Sequence, residues 1–407
     1  MDIAIKMAWL NLWRRASRSL LVILMIAVSM AAMLAIEGLY DGMAADMILR
    51  TIRSDCGEIS VYKPGYRLYQ RLDYAMTDTS RLQAVLSEMA GVRCFVVRLA
   101  LTGLASTARK SSMARVVGID AAREQRFGQL GTFVQEGKLD WGERLNGCVI
   151  GSQLEKDLHV KVGDRIVFSS QTMQGDISAM ALRVRGVIQT SNPAIDNTAI
   201  FVSLRRSRSF AQCPPHAATQ VAVRLFPDVP VSVVAERIKA LFPGLEVRTW
   251  KQLYPVLEQM QDMMRVFNAI SFAIVMTMVL IGIFGVMLVS ILERTREFGI
   301  LMALGTPNSM LGVQVFSEAV VLGCLGFLCG AVLSYGALYY LSHYGLDLRA
   351  FAEGLEAFGL NAVVHADMKW GYFIQSFFAI LLASMVSVVL PLYRIFRLNP
   401  VDVIQEE

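Results

Sequence analysis

The stretch Glu293-Arg294-Thr295-Arg296-Glu297-Phe298-Gly299-Ile300-Leu301-Met302-Ala303-Leu304-Gly305 lies between two long apolar runs. Two carboxylates and two guanidiniums at the end of a hydrophobic run do not stay in hydrocarbon, so the stretch marks a membrane exit. Phe298, Leu301, Met302 and Leu304 supply an apolar face for a short helix along the membrane surface, with Gly305 and Pro307 as stop signals. An ordinary connecting loop satisfies the same pattern, and the residues alone leave both readings open.

Working outward, residues 266–292 carry no charge and are long enough to span a bilayer with some tilt. Further spans are expected at 309–342, where the first turns extend into the cytoplasm, and at 370–393. Near the start, residues 19–36 are uncharged, and a first span is expected over 18–40. The basic residues before it resemble a signal peptide, and Arg14-Arg15 a twin-arginine signal. No A-x-A cleavage site follows, so the run reads as an uncleaved span. Residues 1–17 place Ile3, Met7 and Leu10 on one face, with Trp9 and Trp13 nearby, as in a helix lying in the headgroup region.

Charge sets the orientation. Arg14, Arg15, Arg18, Arg294, Arg296, Arg394 and Arg397 flank one set of span ends, whereas the 343–369 loop at the other carries Asp347, Glu353, Glu356 and Asp367 against Arg349 and Lys369. The positive-inside rule then puts both termini and the 394–407 tail in the cytoplasm. The expected fold is an α-helical membrane protein with four transmembrane helices and a large α+β extracytoplasmic domain, residues 41–265, inserted between helices 1 and 2.

Composition agrees: 407 residues, 55% hydrophobic but 18% charged, with mean hydropathy +0.47, describe a membrane protein that also has a water-exposed part. The net charge of +5 is accounted for by the span flanks and calls for no nucleic acid. Six cysteines and four histidines show no metal-site spacing. Cys56, Cys94, Cys148 and Cys213 fall in the extracytoplasmic part, where a disulfide is chemically open to them.

Within 41–265, two strand-helix-strand units are expected, the first around residues 57–101 and the second around 220–250. Ser80 with Gln83 fits a capping box, and Asp228 a helix cap. A mostly β insertion near 127–216 separates the units, with a tight turn at Gly163-Asp164.

Motifs for chemistry are missing. No G-x-x-x-x-G-K-[ST], G-x-S-x-G or H-E-x-x-H occurs, so no catalytic or metal site and no cofactor is expected in this chain. The span centres lack the charges of an ion-coupled carrier. Energy is therefore expected from a cytoplasmic partner.

The opening stretch resembles the E-R-x-x-E-[FI]-G-[IV]-L-x-A-[LI]-G segment of ABC transporter permeases of the FtsX/macrolide-exporter (type VII) superfamily. Ala8-Trp9-Leu10-Asn11-Leu12-Trp13-Arg14-Arg15 and the ending Pro391-Leu392-Tyr393-Arg394 through Ile404 are similar to that superfamily's termini. Val149 to Leu154 and Val162-Gly163-Asp164 look like its periplasmic core domain. Gly65-Tyr66, Thr249-Trp250 and Tyr254-Pro255 resemble the lipoprotein-releasing (Lol-type) permeases more narrowly.

The resemblance implies a bacterial inner-membrane permease that pairs with a second copy or a paralogue. ATP and Mg would be bound by a separate ABC ATP-binding subunit. Residues 293–308 would be the coupling segment, with Glu293, Arg294, Arg296, Glu297, Phe298, Gly299, Leu301 and Gly305 docking on that subunit. In the Lol branch the substrate is a lipoprotein, lifted from membrane lipid and passed to a periplasmic carrier. Met25, Met33, Met43 and Met47 would then offer adaptable apolar surface to acyl chains, although ordinary packing explains them equally well. The connection from Phe168 to Leu182 is short for the hook by which one paralogue grips the carrier. Export of a drug or peptide through an adaptor and outer-membrane channel is an alternative reading. So is a non-transporting relay that controls a cell-wall hydrolase. Gly326 and Gly330 let another helix approach the third span, and Glu318 at its cytoplasmic edge is either a coupling carboxylate or a side chain reaching the interface.

Single cysteines placed near Arg109 and Gly354 are expected to react with an impermeant maleimide in intact cells, and one at Thr306 only after permeabilisation. Labelling at Thr306 in intact cells contradicts this topology.

Overall fold

The computed structural model describes residues 16–142, 145–190, 192–349 and 363–396. Most of the expected 1–17 helix and the tail motif around residues 399–404 lie outside them.

Helix α1 (Ala16–Thr51) runs into a single π turn, Ile52–Cys56. There follow β1 (Ile59–Tyr62), α2 (Ser80–Glu88), β2 (Val92–Ser106), β3 (Ser111–Ile119), α3 (Ala121–Gly128), β4 (Val134–Gly137), β5 (Gly147–Gly151) and α4 (Ser152–Leu158). Next come β6 (Arg165–Gln171), β7 (Ile177–Ile188), β8 (Ala199–Ser203), α5 (Leu204–Ala211), β9 (Gln220–Leu225), α6 (Val231–Leu241) and β10 (Glu246–Thr249). The chain then turns helical: α7 (Pro255–Glu293), α8 (Thr295–Ala303), α9 (Asn308–His343), α10 (Trp370–Ser387) and α11 (Val389–Phe396). Among the described residues, four stretches are long and apolar enough to cross a membrane: Ala16–Cys56, Pro255–Glu293, Asn308–His343 and Trp370–Tyr393.

The chain forms two compact units, one helical (Met1–Ala44, Met260–Leu348, Val363–Glu407) and one built on a sheet (Ala45–Gln259, Arg349–Ala362). The sheet has ten strands in the order β10-β1-β9-β2-β3-β8-β5-β7-β4, with β6 bridging β2 and β7. Its key member is β2. At 15 residues it is long enough to pair twice, first with β9 over Val92–Arg98, then with β3 and β6 from Leu99 onward. The two expected strand-helix-strand units and the β-rich insertion therefore share one continuous sheet, and β3 belongs to the inserted side although the expected boundary fell at 127. One core packs α2 and α6 on β1, β9 and the start of β2, through Leu82, Leu86, Val234 and Ile238. Another packs α4 and α5 on β3, β5, β6, β7, β8 and the later part of β2, through Leu154, Leu158, Phe168 and Ala211.

Two expected caps shift. Thr79, not Ser80, precedes α2, and Gln83 Nε2 donates to Thr79 Oγ1 at 2.9 Å. Pro230, not Asp228, precedes α6, its fixed φ starting the helix without a side-chain acceptor. Gly163 does form a turn, at φ +104. The six cysteines are free thiols, and burial pushes that of Cys148 well above its usual range.

In the helical unit, Ile26, Met30 and Leu34 of α1 share a core with Val279, Ile283 and Met287 of α7, Val315 and Leu322 of α9, and Ile380 of α10. Glycine sets the closest approach. A Cβ on Gly326 would fall 2.8 Å from Ile26, and one on Gly330 2.9 Å from Met30 Sδ and 3.2 Å from the Ala27 Cα. The expected small-residue face of α9 thus receives α1. The expected fourth span is interrupted at Val388, where α10 gives way to α11, and Pro391 has no N–H for the residue four before it.

Gly330→Leu is expected to force α1 and α9 apart. Overpacking of this kind costs about 1–3 kcal/mol. Thermal unfolding in detergent should show a lower midpoint, and an unchanged midpoint argues against this contact.

Candidate coupling site

The corner between α7 and α9 is built from local backbone chemistry. Arg294 leaves helical geometry at φ −107 and ψ 10. Thr295 Oγ1 donates back to the carbonyls of Ile291 and Leu292, both at 3.0 Å, so α8 is tied to the end of α7. At the far end, Gly305 N–H reaches Met302 O and Thr306 N–H reaches Leu301 O, both at 3.0 Å. That pair of bonds is a Schellman closure, which requires a left-handed residue, and Gly305 supplies it at φ +90. Pro307 then starts α9.

Buried charge fixes the corner further. Arg294 Nη1 donates to Glu318 Oε1 at 2.8 Å, with the two side chains only 12% and 6% exposed. The Arg294 guanidinium also lies 5.0 Å from the ring centroid of Phe298, which is fully buried, and its Nε is 3.3 Å from Glu297 Oε2. Glu293 pairs with Arg18 at 2.6 Å, joining the end of α7 to the first turn of α1; both are half-exposed, and such pairs contribute at most about 1 kcal/mol.

The coupling residues therefore divide into two sets. Arg294, Phe298 and Gly299 face inward, the last two fully buried in the helical unit. The expectation had all of them docking on a partner, whereas Phe298 and Gly299 are buried within the chain itself. Arg296, Glu297 and Leu301 are exposed, and so are Ile300 and Leu304, the latter 78%. Gly305 is also exposed, with open space around it.

Glu318 turns out to be the inward partner of Arg294, rather than a side chain reaching the interface. The available signal was its isolation, since it is the single carboxylate in residues 308–343. The methionines expected to line an acyl cavity differ in exposure along α1. Met33 is buried in the helical core, Met25 packs against Gly282, and Met43 and Met47 are half-buried. Among the described residues no cluster of His, Cys, Asp and Glu could hold a metal ion.

Residues 269–400 match the FtsX-like permease C-terminal family, and residues 19–241 match the MacB-like periplasmic core domain. The second match alone covers more than half of the chain. The chain belongs to this family: it is an ABC transporter permease of type VII. It is 23% identical over 340 residues to the lipoprotein-releasing system transmembrane protein LolE of Haemophilus influenzae, covering 78% of this chain and 77% of LolE. It is 21% identical over 357 residues to the macrolide export ATP-binding/permease protein MacB of Hyphomonas neptunium, covering 85% of this chain but 54% of that protein. The periplasmic region of MacB from Actinobacillus actinomycetemcomitans aligns with 52% of this chain and 97% of its own, at 16% identity and TM-score 0.36.

Removing one partner of a buried ion pair leaves an uncompensated charge, at a cost of about 3–5 kcal/mol. Glu318→Leu should therefore destabilise the helical unit strongly, whereas Arg294→Met combined with Glu318→Leu should recover most of the loss. A double-mutant cycle from unfolding in detergent checks this; equal losses in the single and double variants contradict the pairing.

Proposed function

We propose that this chain is the permease of an ATP-driven complex that releases lipoproteins from the bacterial inner membrane. In this reading both termini are cytoplasmic and the sheet unit lies in the periplasm. ATP and Mg are bound by a separate ABC subunit, and the permease works as a dimer, with itself or with a paralogue.

The observation that carries the reading is the corner at residues 293–305: a short helix, locked by a buried ion pair at one end and a Schellman closure at the other, presenting Arg296, Glu297, Ile300, Leu301 and Leu304 outward. Such a knob transmits a push because its own geometry has little freedom. The helix it terminates, α7, has 39 residues without a break, or about 58 Å at the usual rise. Glu293 thus ends a helix that runs without interruption from Pro255. The match to LolE, which extends over most of both chains, supports lipoprotein as the substrate.

A second reading is export of a drug or peptide through an adaptor. It is favoured by the β6–β7 connection, which closes tightly from Thr172 to Asp176 with Gly175 at φ +96 and leaves no room for a projecting hook. A photocrosslinker at the half-buried Met43 separates the two: an acylated protein in the adduct supports release, and an adduct with a soluble adaptor alone supports export.

The energy-coupling part has its own test. Arg296→Glu with Glu297→Arg reverses two exposed charges, and like-charge contacts across an interface cost several kcal/mol. Membrane insertion should be unchanged, while co-purification of the ATP-binding subunit, or its stimulation by substrate in nanodiscs, falls at least about tenfold. Normal binding together with normal stimulation removes residues 293–305 from the mechanism.

A further inference from the structure

The sheet unit contains a concentration of positive charge that the permease function does not use. Five arginines, Arg53, Arg93, Arg123, Arg126 and Arg224, line one open groove of about 730 Å³, and no acidic side chain lines it. The nearest carboxylates are already paired, two of them with arginines of the groove itself. Glu58 is held by Arg224 at 3.1 Å, and Glu124 by the buried Arg98 at 2.6 Å. Asp120 caps α3 by accepting from the N–H groups of Ala122 and Arg123, and its other oxygen is 3.8 Å from Arg123 Nε. Arg53, Arg93 and Arg126 have no ion pair or side-chain hydrogen bond among the described residues.

Each element accepts a local cost to bring these groups together. Arg123 and Arg126 stand three residues apart on α3, an arrangement that places like charges side by side. Arg93 sits at the irregularity in β2 where the register with β9 shifts between Val92 and Cys94, and a bulge of this kind re-aims a side chain. Arg53 lies on the π turn that ends α1. There Gly128, the last residue of α3, lies so close to the Arg53 carbonyl that a Cβ has no room, which seats Arg53 beside the end of the helix that carries Arg126.

The guanidiniums are also held in place before any ligand arrives. Arg123 lies 5.7 Å from the ring centroid of Phe95, and Arg224 lies 5.9 Å from that of Phe127, whose carbonyl accepts from Arg224 Nη1 at 3.0 Å. Restricted guanidiniums around one concavity lose little entropy when they grip an oxyanion, and their planar forks match phosphate oxygens two at a time. An extended acidic peptide suits a convex stripe of charge better than a concave cluster.

We propose that this groove is a binding site for a phosphate-bearing anion, either a soluble phosphate compound or the headgroup of an anionic lipid. Because Arg53 lies on the π turn that follows α1, an occupant of the groove touches the turn that ends that helix. The site is independent of what the permease transports.

The test uses the full-length chain. Inorganic pyrophosphate is titrated calorimetrically against protein in neutral detergent at low and physiological salt. Short-chain phosphatidylglycerol is compared with phosphatidylcholine in parallel. Saturable binding of pyrophosphate, or of phosphatidylglycerol but not phosphatidylcholine, is expected, the first marking a soluble ligand and the second a headgroup. Arg93→Glu with Arg126→Glu, both exposed in the native fold, should weaken it at least about tenfold without moving the unfolding midpoint. Arg93→Lys with Arg126→Lys should retain part of it, since charge survives but the fork does not. Absence of saturable binding by both probes overturns the proposal, as does equal affinity in the glutamate variant. Binding of a polyglutamate peptide in place of either phosphate probe overturns it too.

Discussion

The Arg294–Glu318 pair is the interaction on which the helical corner depends. Taking a guanidinium and a carboxylate out of water costs several kcal/mol each, and only close pairing offsets the loss. At 2.8 Å, with Phe298 packed on the cation, the pair fixes the angle at which α7 gives way to α8 and α8 to α9. Everything outward-facing on α8 inherits that rigidity. A loop held only by solvent-exposed charges would lack it, because exposed pairs contribute little.

The sheet unit repeats the device. Arg98, fully buried, makes a two-pronged contact with Glu124 at 2.6 and 2.8 Å and lies 5.4 Å from the Phe127 ring centroid. Its remaining donors reach the carbonyls of Ser54 and Asp55, on the π turn that ends α1, and Asp55 in turn accepts from Tyr254 at 2.5 Å, one residue before α7 begins. In each unit, then, a buried arginine with a carboxylate and a phenylalanine sits where a long helix stops. Helix ends leave carbonyls unsatisfied, and a guanidinium satisfies them while its own charge is neutralised by the acid.

The sequence made the long helices legible, because uncharged runs of this length have few other uses in water or in lipid. Strands β1, β9 and β10 and the start of β2 were also readable, as parts of the two expected strand-helix-strand units. Side-chain direction was less accessible. Within Glu293 to Gly305 the pattern named the segment but could not separate Arg294, whose partner lies 24 residues away, from Arg296, which faces outward. The double use of β2 was hidden for the same reason, since alternation reports burial and not which neighbour provides it. Gly326 and Gly330 marked a close approach correctly but did not name α1 as the helix that makes it. The arginine groove gave no sequence signal at all, because its members come from the end of α1, the start of β2, α3 and β9.

The coupling role of the corner is tested most directly at Leu304, which is 78% exposed. A benzoylphenylalanine placed there in intact cells and irradiated should yield an adduct with an ABC ATP-binding subunit, and ATP depletion should change its yield. Adducts confined to lipid or to a second permease would contradict the claim that this corner receives its motion from an ATPase.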